Sequence, residues 1–345
     1  MPNFNLFQNT LPKKSWEKEK QSAFAFIDLF AGIGGFRIAL ESLGGKCVFS
    51  SEWDENSQQT YSQNFNETPE GDITKIKEKD IPSHNILCAG FPCQAFSISG
   101  KRLGFKDTRG TLFFDIVRIA KGLQPEVLFL ENVKNLTRHD NGKTIQTIKK
   151  TLNEINYDPF LKVLRSSDYG VPQARERVYI IAFRKNLNIK NFNFPKSTKK
   201  IKTVKNILEK EKMVKNTYIN RPDIKITKKE ENVLDPRRPL QIGQINNGGQ
   251  GERIYSINAA GITLSAYGGG AASKTGAYLV NGKIRKLTPR ECARMQGFPE
   301  DFEPHQMQNV AYKQFGNSVS VPVIKSVFKK IIKTYPNLLK MNKYD

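Results

Sequence analysis

A cysteine in a setting typical of a nucleophile occurs in the segment NILCAGFPCQAFS, where Cys93 follows a short apolar strand and the turn Gly90–Pro92. The carboxyl edge of a parallel sheet is where such folds bind ligands. A thiol at that edge, near a helix N-terminus, has a lowered pKa and acts as a nucleophile. We therefore predict that Cys93 reacts with a substrate. The sequence predicts small buried side chains for the other cysteines, Cys47, Cys88 and Cys292.

A carboxylate and two arginines accompany this cysteine. The apolar strand EVLFLENV ends in Glu131 and Asn132, which it delivers to the same edge of the sheet. A carboxyl group beside a thiolate has a raised pKa, so it holds a proton to donate. In QARER, Arg175 and Arg177 alternate with Glu176 and are expected on one face of a strand, where guanidinium groups bind a phosphate or a base carbonyl. The alternative for Glu131 and Asn132 is an ordinary cap at the end of a strand. The alternative for Arg175 and Arg177 is a surface salt-bridge ladder.

A nucleotide half-site is predicted from the segment DLFAGIGGF. A strand runs into a glycine-rich turn and then a helix, and Gly32 and Gly34 let the backbone approach a ligand. Glu52 follows Gly34 by 18 residues, at the end of the next strand, where a carboxylate accepts hydrogen bonds from both ribose hydroxyls. A purely structural turn is the alternative for the glycines alone.

The surroundings of this turn favour S-adenosylmethionine over a dinucleotide. Arg37 stands at the last glycine position of the pattern G-x-G-x-x-G, which argues against a nicotinamide-dependent dehydrogenase. Trp53 offers an aromatic face for adenine, and Asp72 offers a polar partner for the adenine amine.

Alternating strand and helix patterns must position these residues. Between Phe24 and Phe183 they predict a doubly wound, mainly parallel α/β sheet. The predicted strands are FAFIDLFAG, KCVFSSEW, NILCAGF, EVLFLENV and RVYIIAF, and the predicted helices are RIALESLGG, ENSQQTYSQNF, TLFFDIVRIAKGL and GKTIQTIKKTLNEI. A capping box predicts a helix that begins after Thr288 and ends at Gly297, and VPVIKSVFKKIIKTY predicts a last helix.

Composition and charge vary along the chain. Residues 1–22 are polar and predicted to be a loose arm, and helical periodicity fades from about 190 to 285, which predicts a second, mostly β or irregular domain. The segment 184–239 has 17 Lys/Arg and six Asp/Glu, which is half of the net charge of +22. Such a basic excess points to nucleic acid, with a generally lysine-rich proteome as the alternative.

Several classes of protein are excluded by the same survey. No apolar run approaches the roughly 20 residues of a membrane-spanning helix, and the N-terminus has no apolar region of a signal peptide. The three histidines and four cysteines form no metal-ligand cluster, so no metal is expected. We therefore predict a cytoplasmic protein with free thiols.

Jointly, the motifs are specific to one family. The sequence resembles the DNA cytosine-5 methyltransferases in DLFAGIGGF, EWD, GDI, GFPCQAFS, RGTLFF, ENV, QARER, RECARMQGFP and QFGNSVSVPV, in the family's order. The resemblance implies methyl transfer from S-adenosylmethionine to cytosine C5 of double-stranded DNA, with S-adenosylhomocysteine as the product, by a monomer that belongs to a restriction-modification system. The loops GGQGERIYS, ITLSAYGGG and TGAYLVNGK resemble those of a member that recognises GCGC.

The resemblance also implies a role for each reactive residue. Cys93 would attack cytosine C6 while Glu131 protonates or hydrogen-bonds N3, and C5 of the resulting enamine would take the methyl group. Loss of the C5 proton and expulsion of Cys93 would complete the turnover. Arg177 would hold the cytosine O2, Arg175 would support the phosphate or the cofactor side, and Asn132 would position Glu131. The base must leave the DNA stack to reach Cys93.

Further binding residues and the domain limits follow from the resemblance. The cofactor pocket would comprise Phe30, Gly32, Gly34, Glu52, Trp53, Asp72, Ile73, Pro92, Leu112 and Asn317. DNA would contact Ser97, Ser99, Lys101, Gln250, Arg253, Tyr255, Thr263 and Tyr267. Gln250 and Ser99 would fill the gap that the flipped base leaves, and Arg253 would read guanine. Residues 1–22 would be an N-terminal arm, 23–199 and 288–345 a discontinuous catalytic domain, and 200–287 a target-recognition domain.

The sequence disfavours two alternative functions on the same fold. An RNA cytosine-5 methyltransferase would be expected to carry a second, well-placed cysteine, and the large basic insert suits duplex DNA better. A non-catalytic DNA-binding homologue would have no reason to keep Cys93, Glu131 and Arg177 together.

Overall fold

The larger of two sheets has six strands in the computed structural model, which describes residues 14–17, 22–91, 112–228 and 233–340. The strands are β1 (Phe24–Leu29), β2 (Gly45–Ser51), β3 (Ile86–Gly90), β4 (Val127–Val133), β5 (Tyr157–Arg165) and β6 (Glu176–Arg184). They lie in the order β2-β1-β3-β4-β6-β5. Strands β1 to β4 are parallel, and β6 runs antiparallel to both β4 and β5. The prediction of a mainly parallel sheet is confirmed.

Helices cover both faces of this sheet. In the described segments they are α1 (Gly35–Glu41), α2 (Glu55–Phe65), α3 (Leu112–Leu123), α4 (Lys143–Glu154), α5 (Pro289–Gln296), α6 (Gln308–Asn317) and α7 (Val321–Thr334). Because strand side chains alternate between faces, Phe24 and Phe26 of β1 pack in the core that includes α1 and α7, while Ile27 and Leu29 pack in the core that includes α3 and α4. Both faces are therefore buried, as a doubly wound fold requires.

Local sequence signals predicted most of these elements correctly. Thr288 caps α5 in a capping box with Glu291, Pro289 is the first helical residue, and Gly297 ends the helix in a left-handed conformation. Strand β5 was not predicted. Its sequence, YDPFLKVLR, contains a proline, which lacks the N–H that a central strand needs, but β5 lies at the sheet edge, where a proline is tolerated. The three cysteines predicted to be buried, Cys47, Cys88 and Cys292, are buried.

A second, smaller sheet follows in the chain. Residues 224–285, apart from 229–232, contain the short strands β7 (Ile224–Ile226), β8 (Gln241–Ile245), β9 (Arg253–Ser256), β10 (Ala277–Val280) and β11 (Lys283–Arg285), in the order β11-β10-β9-β8-β7. They enclose a small core of their own that includes Ile242 and Ile254. A buried ion pair between Arg285 of β11 and Glu291 of α5, with N and O 2.7 Å apart, joins the second sheet to the returning helices.

The prediction of a loose arm is wrong for residues 14–17. The Trp16 side chain is buried, with its ring centroid 5.7 Å from that of Phe65. Ser15 donates from its hydroxyl group to the Asp301 carboxylate over 2.8 Å. An aromatic ring and a hydroxyl group thus attach this segment to the fold, and the rest of the arm, residues 1–13 and 18–21, lies outside the described residues.

Candidate active site

The glycine turn after β1 has a left-handed backbone at Phe30, Gly32 and Gly34, with φ of 57°, 56° and 80°. At Gly34 a side chain would also collide with the Phe65 ring, so only glycine fits there. The Gly32 amide donates to Glu52 Oε2 over 2.8 Å. The turn therefore lies next to the end of β2, and approach of its backbone to a ligand stays a prediction.

Glu52 holds the end of β2 in place with its own carboxylate. Its Oε1 accepts from the amides of Trp53 and Asp54 over 2.9 Å each, and its Oε2 accepts from Gly32. Burial raises the pKa of Glu52, while these three hydrogen bonds oppose the rise. A carboxylate offers about four lone-pair sites, so about one remains for a ligand. Bonding to both ribose hydroxyls stays a prediction.

An exposed aromatic ring and a capped turn lie beside Glu52 in the chain. Trp53 is 77% exposed, unusual for a tryptophan and suited to stacking on a ligand ring. Asp72 Oδ1 caps the turn Ile73–Lys75 by accepting from the Thr74 amide over 3.0 Å, which leaves Oδ2 without a hydrogen bond among the described residues. Ile73 is buried beneath this turn.

The end of α6 lies alongside the same pocket. Lys313 Nζ lies 2.9 Å from Asp54 Oδ2, and the Gln314 amide donates to the Asn56 carbonyl at the start of α2 over 2.9 Å. Asn317, the last residue of α6, is exposed. Leu112, the first residue of α3, is partly buried against the core between the six-stranded sheet and the helices α3 and α4. These contacts fix α6, which carries Asn317, against the helix that follows Trp53.

Glu131 and Arg177 meet across the strand pair β4 and β6. Arg177 Nε lies 3.3 Å from Glu131 Oε1. Glu131 is 7% exposed, and its Oε1 has no hydrogen-bond partner among the described residues. Burial raises the pKa of Glu131, although the charges of Arg177 and Arg175 oppose the rise. A buried polar atom without a partner is rare in native proteins, so this carboxyl group is suited to bond a substrate.

The Asn132 side chain bonds the residue that follows β3 and makes no described hydrogen bond to the Glu131 side chain. Its side-chain amide donates to the Phe91 carbonyl over 2.8 Å, and its carbonyl accepts from the Val133 amide over 2.8 Å. The predicted role of positioning Glu131 is therefore corrected. Because its side chain is short and committed to these two bonds, Asn132 positions the backbone that enters the Pro-Cys segment.

Arg175 is a buried tie and not a surface guanidinium. It precedes β6 and donates to the carbonyls of Leu264, Gly316 and Ser318 over 3.3, 3.0 and 2.7 Å. Burial lowers its pKa to about 9, with the nearby charge of Arg177 adding to the effect. The predicted phosphate contact is wrong, because all three described hydrogen bonds go to backbone carbonyls. The predicted support of the cofactor side is compatible with the bonds to Gly316 and Ser318.

Two glycine-rich loops of the second sheet pack backbone against backbone. A side chain at Gly251 would collide with the carbonyl of Gly269, so only glycine allows the contact. The Ala272 amide donates to the Gly251 carbonyl over 2.8 Å. Gln250 and Arg253 are exposed on either side of this junction. The loops GGQGER and SAYGGGAAS, which are separated by 11 residues in the sequence, therefore present one joint surface.

The other predicted DNA contacts in the second sheet differ in exposure. Tyr267 is 70% exposed. Thr263 is half-buried, and its hydroxyl group donates to the Ala174 carbonyl over 3.1 Å. Tyr255 is buried against Tyr278, so a direct DNA contact by its ring is not supported and it acts as a packing residue beneath Arg253.

Five predicted site residues lie outside the described part of the chain: Pro92, Cys93, Ser97, Ser99 and Lys101. The last described residue before them is Phe91, whose carbonyl Asn132 holds. Their roles remain predictions from the sequence.

Two functional neighbours of the glycine turn were not predicted. Arg37, considered only as a departure from a dinucleotide pattern, bonds Glu41, Tyr61 and Glu67 and so joins α1 to α2. Asp28 is buried, and neither carboxylate oxygen has a hydrogen-bond partner among the described residues. Burial raises the pKa of Asp28 well above its usual range. The signal for Asp28 was a carboxylate inside an otherwise apolar strand.

The described residues contain neither a membrane-spanning helix nor a metal-binding group of side chains. In residues 14–17, 22–91, 112–228 and 233–340, no helix is long and apolar enough to cross a membrane. The same residues contain no group of three or more His, Cys, Asp or Glu side chains arranged to hold a metal ion.

Comparison with known proteins places these features in a wider context. The sequence model of the C-5 cytosine-specific DNA methylases matches residues 24–333. Type II methyltransferase M.HhaI of Haemophilus parahaemolyticus is 55% identical over 311 residues, which span 90% of this chain and 95% of that protein. Type II methyltransferase M.HpaII of Haemophilus parainfluenzae is 44% identical and covers 91% of each chain. The crystal structure of a Spodoptera frugiperda DNMT2 mutant has the same fold, with a TM-score of 0.69 and 21% identity over 89% of this chain and 99% of that one.

Proposed function

Because this chain belongs to the C-5 cytosine-specific DNA methylase family, we propose that it methylates cytosine within GCGC through Cys93, with S-adenosylmethionine bound at the glycine turn. The chain is a type II DNA cytosine-5 methyltransferase. The target sequence, the residue roles and the bound cofactor are the parts proposed here. The buried Glu131 carboxyl group, with an unbonded Oε1 beside Arg177, is the observation that carries the proposal.

The residues around the glycine turn fit an adenosyl cofactor. Trp53 presents an exposed ring, Glu52 retains about one free acceptor site, and Asp72 Oδ2 has no hydrogen bond among the described residues. S-adenosylmethionine, when bound, supplies an electrophilic sulfonium methyl group. Trp53 would stack on the adenine, Glu52 would accept from the ribose, and Asp72 would accept from the adenine amine.

Glu131 and Arg177 would activate the cytosine ring for attack. A protonated Glu131 donates to N3, and Arg177 donates to O2, so both withdraw electron density from C6. The Cys93 thiolate then forms a bond to C6, and the electron pair moves to C5, which becomes nucleophilic and takes the methyl group. A base removes the proton from C5, and the C6–S bond breaks to release Cys93 as the thiolate. S-adenosylhomocysteine would be the other product of the methyl transfer. The C5 proton leaves on the base, and Glu131 recovers its proton from N3 as the C5–C6 double bond re-forms.

The joint loop surface of the second sheet would read the DNA. The loops GGQGERIYS, ITLSAYGGG and TGAYLVNGK resemble those of a family member that recognises GCGC, and this supports the same target here. Arg253 would donate to guanine O6 and N7, a bidentate contact worth about 1–3 kcal/mol of discrimination. Gln250 and Ser99 would fill the gap left by the flipped cytosine, since flipping costs about a few kcal/mol.

The domain limits and the biological setting belong to the same proposal. Residues 23–199 and 288–345 would form the catalytic domain, and 200–287 the target-recognition domain. We propose a monomer that acts on DNA in the cytoplasm as the modification enzyme of a restriction-modification system, because the named relatives are type II methyltransferases.

A fluorinated substrate tests the covalent step. At C5 a fluorine cannot leave as a proton does, so a GCGC duplex with 5-fluorocytosine at the target should trap the enzyme through Cys93 after methyl transfer. We expect an adduct that survives denaturation with the wild type and none with Cys93→Ser. Cys47→Ser is the matched control, since it makes the same substitution at a buried cysteine that has no proposed chemical role. A stable adduct in Cys93→Ser would refute the assignment.

A further inference from the structure

A cavity of about 340 Å³ lies beside the edge strand β5, away from the glycine turn. Four cationic side chains and two carboxylates line it: Lys162, Arg165, Lys196, Arg238, Asp168 and Glu176. None of these residues belongs to the cofactor pocket, to the Glu131 site or to the glycine-rich loops.

Both carboxylates in the cavity already have cationic partners. Asp168 Oδ1 lies 3.1 Å from Arg165 Nη2 and 3.7 Å from Nε of Arg237, so two arginines share one carboxylate. Glu176 lies 2.8 Å from Lys134 Nζ. Arg238 Nε in turn lies 3.4 Å from Asp235 Oδ2. Three carboxylates therefore stand against six cationic side chains in and around the cavity, which are Lys134, Lys162, Arg165, Lys196, Arg237 and Arg238. An anion would reduce this excess positive charge.

Two guanidinium groups here also have donors without acceptors. Nε of Arg165 and Nε of Arg237 are buried atoms, and neither has a hydrogen-bond partner among the described residues. A buried donor without a partner is disfavoured, so it marks a position for an acceptor. The planar fork of a guanidinium group matches the oxygens of a phosphate group.

The register of the first sheet relates this cavity to the catalytic residues. Glu131 pairs with Tyr179 of β6, and Tyr179 pairs with Lys162 of β5, so the three residues form one row across the sheet. Directly paired residues project from the same face of a sheet, so Lys162 lies on the face of Glu131. Arg165 pairs with Glu176 and projects from the other face, at the same end of the sheet. Two strand spacings separate Lys162 from Glu131, roughly 10 Å. Along a DNA axis this corresponds to about three base steps of roughly 3.4 Å.

The chain also connects the cavity to the recognition loops. Arg237 donates to the Thr198 carbonyl over 2.9 Å, and Arg237 and Arg238 stand shortly before β8, whose far end leads into the loop with Gln250. The cavity thus lies where the chain passes from the first sheet to the second. A DNA duplex that reaches both Glu131 and Gln250 would pass near it.

We propose that this cavity binds a phosphodiester group of the DNA backbone within about three nucleotides of the target cytosine, held by Lys162, Arg165 and Arg238, which line it. The inference rests on the proposed action on duplex DNA, and it adds a binding site outside the recognised bases. A backbone contact is independent of base sequence and releases counterions, so it affects salt dependence more than specificity.

Salt titrations of DNA binding test this site. The full chain with bound S-adenosylhomocysteine would be titrated with a GCGC duplex and with an unrelated duplex at several salt concentrations. Arg165→Ala and Arg238→Ala should each weaken binding roughly tenfold at low salt and reduce the slope of log K against log salt by about 0.9. Arg165→Lys should keep the slope. The side chain of Arg238 is 72% exposed, so its removal carries little risk to folding.

A matched control lies on α7, over the start of β1. Lys329 is exposed on α7, next to Phe328, whose ring packs on Phe24 at the start of β1. Lys329→Ala removes the same charge and should leave affinity and slope unchanged. Equal slopes in Lys329→Ala, Arg165→Ala and Arg238→Ala would overturn the proposal.

Neutral phosphate analogues identify the contacted group. Single methylphosphonates, placed at each of four positions on either side of the target in both strands, each remove one backbone charge. One position should weaken wild-type binding about as much as Arg165→Ala does, and the two changes together should cause no further loss. Additive losses at every position would refute the contact. If the wild-type enzyme prefers a sequence other than GCGC, the proposed target is refuted but the phosphate contact is not. The salt slopes of the variants are compared on both duplexes and so do not depend on the target sequence.

Discussion

Replacing Arg175 by methionine separates two roles that a sequence pattern cannot distinguish. In the structure, Arg175 donates to the carbonyls of Leu264, Gly316 and Ser318. The first lies near the recognition loops and the others flank Asn317 of the proposed cofactor pocket. Methionine keeps most of the aliphatic volume but removes the side-chain donor of the Leu264 and Gly316 carbonyls, while Ser318 keeps a bond from the Gln296 side chain over 3.3 Å. Each unsatisfied buried group costs about 1–3 kcal/mol, so we expect a loss of about 2–5 kcal/mol.

Such a loss is large but tolerable for a protein of ordinary stability, about 5–15 kcal/mol. The assay is urea unfolding together with direct titrations of S-adenosylmethionine and of the GCGC duplex. If Arg175 ties the two segments together, kcat/KM should fall by roughly 10–100-fold, since small misplacements are that costly. Affinity for the cofactor should fall with it, and the salt slope of DNA binding should stay unchanged.

Arg184→Met is the matched control. Arg184 lies at the other end of β6 and likewise donates to a backbone carbonyl, that of Gln124 over 2.8 Å. This variant should lose stability without a change in cofactor affinity. The account of Arg175 would be refuted by a variant with unchanged stability and cofactor affinity but a salt slope reduced by about one, which is the signature of a phosphate contact.

Four further predictions concern the proposed active site and its surroundings. Cys93→Ser should abolish methyl transfer while DNA binding survives, as measured by labelled methyl incorporation and duplex titration; retained turnover would reject the covalent mechanism. Glu131→Gln should lower kcat by about 10²–10⁴-fold. Since burial raises the pKa of Glu131 and the protonated form donates, wild-type activity should fall as pH rises through that pKa. The pH profile of the variant should lack this decrease. Trp53→Ala should weaken cofactor binding by about 1–3 kcal/mol in calorimetry, the usual worth of a stacked aromatic ring, and unchanged affinity would contradict stacking. Asp28→Asn should stabilise the fold by about 1–3 kcal/mol at pH 8. Because burial raises the folded-state pKa of Asp28, the stability of the wild type falls as pH rises through that pKa. Denaturation at pH 4 should therefore show little difference between the variant and the wild type, and equal effects at both pH values would refute the reasoning.

Elements with a strong local signal could be predicted from the sequence. The capping box at Thr288 acts within one helical turn, and the glycines after β1 encode a turn that the structure contains. Strand β5 was missed because Pro159 opposes a strand locally, and only its place at the sheet edge makes the proline acceptable. The burial of Trp16 depends on contacts with Phe65, which no local pattern indicates.

The candidate site shows the same division between residue type and tertiary partner. The alternation in QARER suggested a shared strand face, but the hydrogen-bond partners of Arg175 lie 89, 141 and 143 residues away. The role of Asn132 changed for a related reason, since its partner is the Phe91 carbonyl on the neighbouring strand. Glu131 and Arg177 were predicted as separate features, and the antiparallel register of β4 and β6 brings them together.

Transfer of tritium-labelled methyl groups from S-adenosylmethionine is the most direct test of the central claim. Duplexes that contain GCGC, GGCC, CCGG or no CG step would be offered separately to the wild-type enzyme. The account predicts incorporation into the GCGC duplex alone. Incorporation into another duplex would contradict the reading of the recognition loops, and no incorporation into any DNA, with the cofactor bound, would contradict the proposed reaction.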